Sequence, residues 1–182
     1  ALQDVDVNRV VKDSTQLLLP QFSGSVISFD MKFDQGIQHI LMDEGMLQQV
    51  LLNLFLNAKD AMEGGGIIRV ETSEIVLSEQ DKSSRRRKDD TLNKDFSAVR
   101  SHIPERAYIK ISVTDTGKGI AQSDIDKIFD PFFTTKDQGK GTGLGLTLSL
   151  GIIQAYGGDI KVKSELGKGT TFEVILPCSR NL

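Results

Sequence analysis

Four short segments follow one another in a set order along this chain: NLFLNAKDAM at Asn53 to Met62, DTGKGI at Asp115 to Ile120, FDPFFTTK at Phe129 to Lys136 and GKGTGLGL at Gly139 to Leu146. Core packing alone does not generate such a set. The first lies on a helix, because Leu47, Val50, Leu51, Leu54, Ala58 and Ala61 recur at i, i+3, i+4 and i+7, the spacing of one apolar face. Asp43 precedes that helix as an N-cap, and Gly64-Gly65-Gly66 follows as its stop. Its apolar face requires a sheet to pack on. Asn53, Asn57 and Asp60 recur at i, i+4 and i+7 along the edge of that face, so this polar stripe borders a cleft.

The remaining elements give the sheet and its cover. Val7 to Leu19 carries apolar residues at helical spacing, and Pro20 is expected to end it. Val26, Phe29, Met31 and Phe33 alternate in part, as in a half-buried strand. Ile67 to Leu77 and Ala107 to Thr114 read as strands, and the polar stretch Ser78 to Arg106 between them reads as a largely mobile hairpin insertion. Gly145 to Tyr156 is a third helix. Gly157-Gly158 then opens a final hairpin, Ile160 to Ser164 with Thr170 to Leu176. This order predicts a two-layer α/β sandwich: a mixed, mostly antiparallel sheet covered on one face by helices.

Composition fits one such domain over residues 1–182, with 38% hydrophobic and 26% charged residues. A net charge of −3 gives no overall attraction to nucleic acid, and Arg85 to Lys88 sits among Asp81, Asp89 and Asp90 as a solvated loop. The single Cys178 has no internal disulfide partner and points to a reducing compartment. No apolar run approaches the ~20 residues of a membrane span, and no signal-peptide layout opens the chain. A cytoplasmic location is the expectation, whether or not a longer parent is anchored in the inner membrane.

The familiar phosphate loops are missing: there is no GxxxxGK[ST], and no GxGxxG opens a helix after a strand. The four segments instead resemble the N box, first glycine box, F box and second glycine box of the catalytic, ATP-binding domain of sensor histidine kinases. GKGTTF, at Gly167 to Phe172, resembles a third glycine box. These kinases share the Bergerat-type fold with gyrase B, the heat-shock chaperone ATPases and mismatch-repair ATPases. NA-x-DAM and PFFTTK are similar to the nitrogen-regulation branch. The resemblance runs from about Asp43 onward, with Val5 to Phe33 suiting the leading helix and strand.

The resemblance implies a bound ATP·Mg²⁺ and gives each motif a role. Asn57 would hold the metal through a neutral amide oxygen, which suits an oxygen-seeking ion that keeps most of its waters. Asp60 either supports the ion's or the adenine's water shell or is a plain exposed helix acid. Asp115, following Ile109, Ile111 and Val113, would accept the exocyclic amine of adenine and oppose the carbonyl of guanine; an Asx-turn is the alternative. Gly117 and Gly119 let the backbone approach base and ribose. Gly139, Gly141, Gly143 and Gly145 lead into a helix whose free N–H groups can face a triphosphate. Lys136 and Lys140 reach the phosphates or remain solvated, and Thr142 and Thr147 add hydroxyls. Ile120, Phe133, Leu144 and Thr170 complete the implied nucleotide-binding set. Phe129, Phe132 and Phe133 are read as packing residues that seat a mobile lid.

One position separates kinase from hydrolase. The hydrolases carry a Glu one turn before Asn57, whereas this chain has Asn53, which cannot act as a general base. The implied function is transfer of the γ-phosphate to a histidine on a separate dimerising helical domain, with a response regulator downstream. His39 and His102 lack the phosphoacceptor pattern and are read as structural. The phosphoacceptor domain is therefore expected to be absent, the fragment monomeric and its parent a homodimer. Two other readings share these boxes: a nucleotide-binding regulatory module without transfer activity, and an anti-sigma-type protein-serine kinase.

Overall fold

The computed structural model describes residues 1–77, 106–136 and 141–179. In chain order its elements are β1 (Gln3–Val5), α1 (Val7–Phe22), β2 (Ile27–Phe33), β3 (Ile40–Met42), α2 (Glu44–Asp60), β4 (Gly66–Leu77), β5 (Arg106–Asp115), α3 (Gln122–Ile125), α4 (Gly145–Ala155), β6 (Asp159–Glu165) and β7 (Gly169–Pro177). Five strands form one sheet in the order β2-β4-β5-β7-β6. β2 runs parallel to β4, and every other pairing is antiparallel. β1 and β3 form a separate two-stranded ribbon, joined to the end of β7 through the bridge between Ile40 and Cys178.

Strand alternation divides the sheet into two unlike faces. Ile68 and Val70, Ile109, Ile111 and Val113, and Phe172, Val174 and Leu176 turn inward and meet Val10, Val11, Leu47, Leu51, Leu54 and Ile153 of the helices in one core. The opposite face is polar, with Lys110 and Lys163 both paired to Glu173, and Arg69 to Asp30. Three rings tie the helical layer to the sheet edge: Phe22 of α1 meets Phe29 of β2 edge-on at 5.3 Å, and Phe29 meets Phe55 of α2 at 5.6 Å. Each such pair contributes about 1 kcal/mol beyond its buried area.

α1 runs through Pro20 to Phe22 instead of stopping at Leu19. Proline in a final turn removes a single backbone bond, and burial of Phe22 against Phe29 offsets it. α2 begins as its sequence predicts, Asp43 accepting the Met46 N–H at 3.3 Å, and ends at Asp60, before the glycine run. β1, β3 and α3 are too short for periodicity to reveal. Leu77 pairs with Arg106, so the polar stretch joins two adjacent antiparallel strands. Residues 78–105, including Arg85 to Lys88 and His102, lie outside the described residues, as do Gly139 and Lys140.

Candidate functional site

A cleft of about 380 Å³ opens between α2, the end of β5, and the segment leading into α4. Asn53, Asn57 and Asp60 line it together, so the polar stripe on α2 faces open space as its spacing requires. Asn53 donates through Nδ2 to Ser149 Oγ on α4 at 3.0 Å. Asn57 and Asp60 share a cation. Lys136 Nζ lies 3.3 Å from Asn57 Oδ1 and 2.5 Å from Asp60 Oδ2.

Asp115 closes the other end of the cleft and is 5% exposed. Burial pushes its carboxyl above the ordinary value, and the backbone N–H groups of Gly117 and Thr170 oppose that push. Its Oδ1 accepts the Gly117 N–H at 2.8 Å. Asp115 thus makes the Asx-turn, and it also lines the cleft.

The loop after Asp115 is fastened on both sides. Lys118 N–H donates to Ala61 O at 3.0 Å, and Gly167 N–H donates to Lys118 O at 2.7 Å. Gly119 has φ +70, and a Cβ there would sit 2.2 Å from Glu165 O, so this turn admits only glycine. Gly117 presses on Ala61 and does not line the cleft. Gly119 and Ile120 do.

The F-box and lid residues divide. Phe133, Lys136, Gly141, Thr142, Gly143 and Gly145 line the cleft, whereas Leu144 is 42% exposed and does not. Leu144 is the N-cap residue of α4 and supplies no side-chain bond, which leaves the first-turn N–H groups uncapped beside the cleft. Thr147 is spent elsewhere, donating to Phe129 O at 2.9 Å. Phe132 departs from its expected packing role: it is 73% exposed, with φ 66, because its N–H donates to Gly143 O at 2.9 Å and turns the ring outward. Phe129 packs against the core.

Thr170 lines the cleft directly across the strand pair from Asp115. Phe172, two residues on and hence on the same face, supplies an apolar wall with Ile128, Leu56 and Leu146; Leu56, Leu146 and Phe172 lie within the quoted segments but have no place in the implied nucleotide-binding set, and Ile128 lies outside those segments. Strand alternation alone would have found Phe172 once Thr170 was placed. Lys118, Thr134 and Thr135 also line the cleft from within motifs already quoted. His39 Nδ1 lies 2.9 Å from Asp4 Oδ2 beside the β1–β3 ribbon, away from the cleft.

A cleft with a buried carboxylate and apolar walls at one end, and amide, carboxylate and lysine at the other, set in an α/β sandwich, suits the nucleotide-binding ATPase class. Residues 42–180 match the family model described as histidine kinase-, DNA gyrase B-, and HSP90-like ATPase, and the chain belongs to that family. It is 39% identical over 173 residues to the sensor kinase CckA of Brucella abortus (strain 2308), covering 95% of this chain and 17% of that protein. It is 38% identical over 177 residues to the sensor histidine kinase ZraS of Escherichia coli (strain K12), covering 97% of this chain and 31% of that one. The chain thus spans under a third of either relative and is homologous to their ATPase catalytic domain.

The solved catalytic domain of the histidine kinase ThkA superposes with a TM-score of 0.70 at 25% identity, covering 98% of this chain and 96% of that one. Full-length ShkA in complex with AMPPNP superposes with a TM-score of 0.71 at 26% identity, covering 98% of this chain and 31% of that one. The sandwich expected from the element order is the fold these proteins share.

Proposed function

We propose that this chain binds ATP·Mg²⁺ in the cleft and presents the γ-phosphate to a histidine on a separate dimerising helical domain of a longer cytoplasmic or inner-membrane-anchored sensor kinase. The observation that carries this reading is the polarity of the cleft, with Asp115 buried at one end and Asn57, Asp60 and Lys136 gathered at the other. Asp115 accepts the amine of adenine between the apolar walls of Ile120, Ile128 and Phe172. The uncapped start of α4 and Lys136 receive the phosphates.

Asn57 Oδ1 and Asp60 Oδ2 fit a magnesium site. Both are oxygen atoms that already converge on one ammonium. Magnesium takes one or two protein ligands where phosphates and water supply the rest, and it neutralises phosphate charge. Lys136 would then release Asn57 and turn to the phosphate oxygens. Asn53 supplies no general base, and its amide is engaged with Ser149, so water is not activated and the phosphoryl group is kept for the imidazole.

On this reading residues 1–182 form one catalytic domain with 78–106 as an appendage. The fragment is a monomer, its parent a homodimer that passes phosphate to a response regulator, and no nucleic acid takes part. A mixing assay tests it: γ-labelled ATP, this chain and a helical phosphoacceptor domain should give acid-labile label on the acceptor, reduced at least about 100-fold by Asn57→Ala. Acid-stable label would indicate a serine kinase. ATP binding with no label on any acceptor would leave a regulatory module.

A further inference from the structure

Three residues form one cross-strand row on the inner face of the sheet: Ser164 of β6 pairs with Thr170 of β7, and Thr170 pairs with Asp115 of β5. Ser164 Oγ has three polar neighbours. It lies 2.8 Å from Ile120 N, 2.9 Å from Gly169 O and 2.8 Å from Thr170 Oγ1. A hydroxyl offers one proton and two lone pairs. Ile120 N–H can only donate, so it takes one lone pair. Gly169 O can only accept, so it takes the single proton. The contact with Thr170 must then be filled by the Thr170 proton entering the last lone pair. Any other assignment leaves two oxygens 2.9 Å apart with no proton between them.

We infer that Ser164 is a specificity-determining positioning residue, which fixes the Thr170 hydroxyl so that only lone pairs face the cleft. The inference rests on the nucleotide reading above. Its chemical content is that Asp115 and Thr170 present two adjacent acceptors and no donor to the 6-position of a bound purine. A 6-amino group is served by that edge, and a 6-oxo group is opposed by it. Ser164 touches the cleft solely through its neighbours and does not itself line it.

The test compares ATP with inosine triphosphate, which carries a 6-oxo group and lacks the 2-amine of guanine, by calorimetry on the whole chain. Ser164→Ala frees the Thr170 proton to rotate into the cleft, and the ATP-over-inosine preference should narrow about tenfold. Loss of the Ile120 bond alone would weaken both nucleotides equally and leave the ratio untouched. Ser164→Thr keeps the hydroxyl and should keep the preference. In a Thr170→Val background, adding Ser164→Ala should change the ratio no further. An unchanged ratio in a folded Ser164→Ala protein, or an undiminished effect in the Thr170→Val background, overturns the inference. Should Ser164→Ala not fold, as judged by circular dichroism, Thr170→Val alone must narrow the preference, and a preserved ratio is equally fatal. A wild-type chain that binds neither nucleotide sinks the nucleotide reading itself, an outcome distinct from ATP binding with an unmoved ratio.

Discussion

The two ends of the cleft are built on different principles. At the Asp115 end every polar group named above has a backbone or side-chain partner, and the loop is wedged between Ala61 and the turn joining β6 to β7. At the Lys136 end, among the described residues, the gap is spanned by Lys136 alone, paired with Asp60 and bonded to Asn57, the ion-paired side chains being 31% and 48% exposed. Exposed pairs of this kind contribute about 0 to 1 kcal/mol, whereas a backbone wedged against backbone cannot yield without local unfolding. The Asp115 end is therefore preformed, and the Lys136 end, which the proposed function gives to the phosphates, is held by the weaker contact.

The strongest way to break that contrast is Gly169→Ala. Gly169 has φ +110, and a Cβ there would lie 2.0 Å from Asp115 O. Denaturant unfolding should show a loss on the order of 3 kcal/mol or more, and a loss well below that would mean that the Asp115 end can relax. Asp115→Asn keeps an acceptor for the Gly117 N–H and removes the charge that the proposed function sets against the adenine amine. ATP affinity should fall about 30-fold, or ~2 kcal/mol, with little change in melting temperature. Equal affinity would place base reading elsewhere.

Lys136→Met sharpens the comparison from the other side. ATP affinity should fall about tenfold while adenosine affinity holds and stability shifts by less than about 1 kcal/mol. A matching loss for adenosine would show that the two ends are not independent. The smallest effect concerns pH. Because burial raises the Asp115 carboxyl, the folded chain keeps a proton there at pH values where the unfolded chain, with its ordinary value near 3.8, has released it. The stability of wild type minus that of Asp115→Asn should therefore fall as pH rises from that value through the folded pKa. A difference that rises with pH would show the two N–H donors outweighing burial.

The sequence was most legible where pattern and chemistry coincide. The α2 stripe at Asn53, Asn57 and Asp60 follows from helical geometry alone, and the antiparallel strands follow from alternation. It was least legible where a residue acts through its neighbours. Nothing in the local sequence shows Phe132 turned outward, Thr147 committed to Phe129 O, or Gly117 set against Ala61, because each depends on a segment distant in the chain or on a backbone turn. β1 and β3, three residues each, carry no period at all, and their pairing is fixed by register with each other.

That ribbon has a practical consequence through its bridge to Cys178, which is fully covered and whose N–H donates to Ala107 O at 3.1 Å. Burial, and then the charge of Glu74, pushes the thiol pKa up, so the sulfur is both protonated and inaccessible. As the lone cysteine of the chain, it is a native stopwatch for detachment of the β1–β3 ribbon from the sheet. The rate at which an alkylating reagent reaches it reads how often that seam parts, with no label added elsewhere.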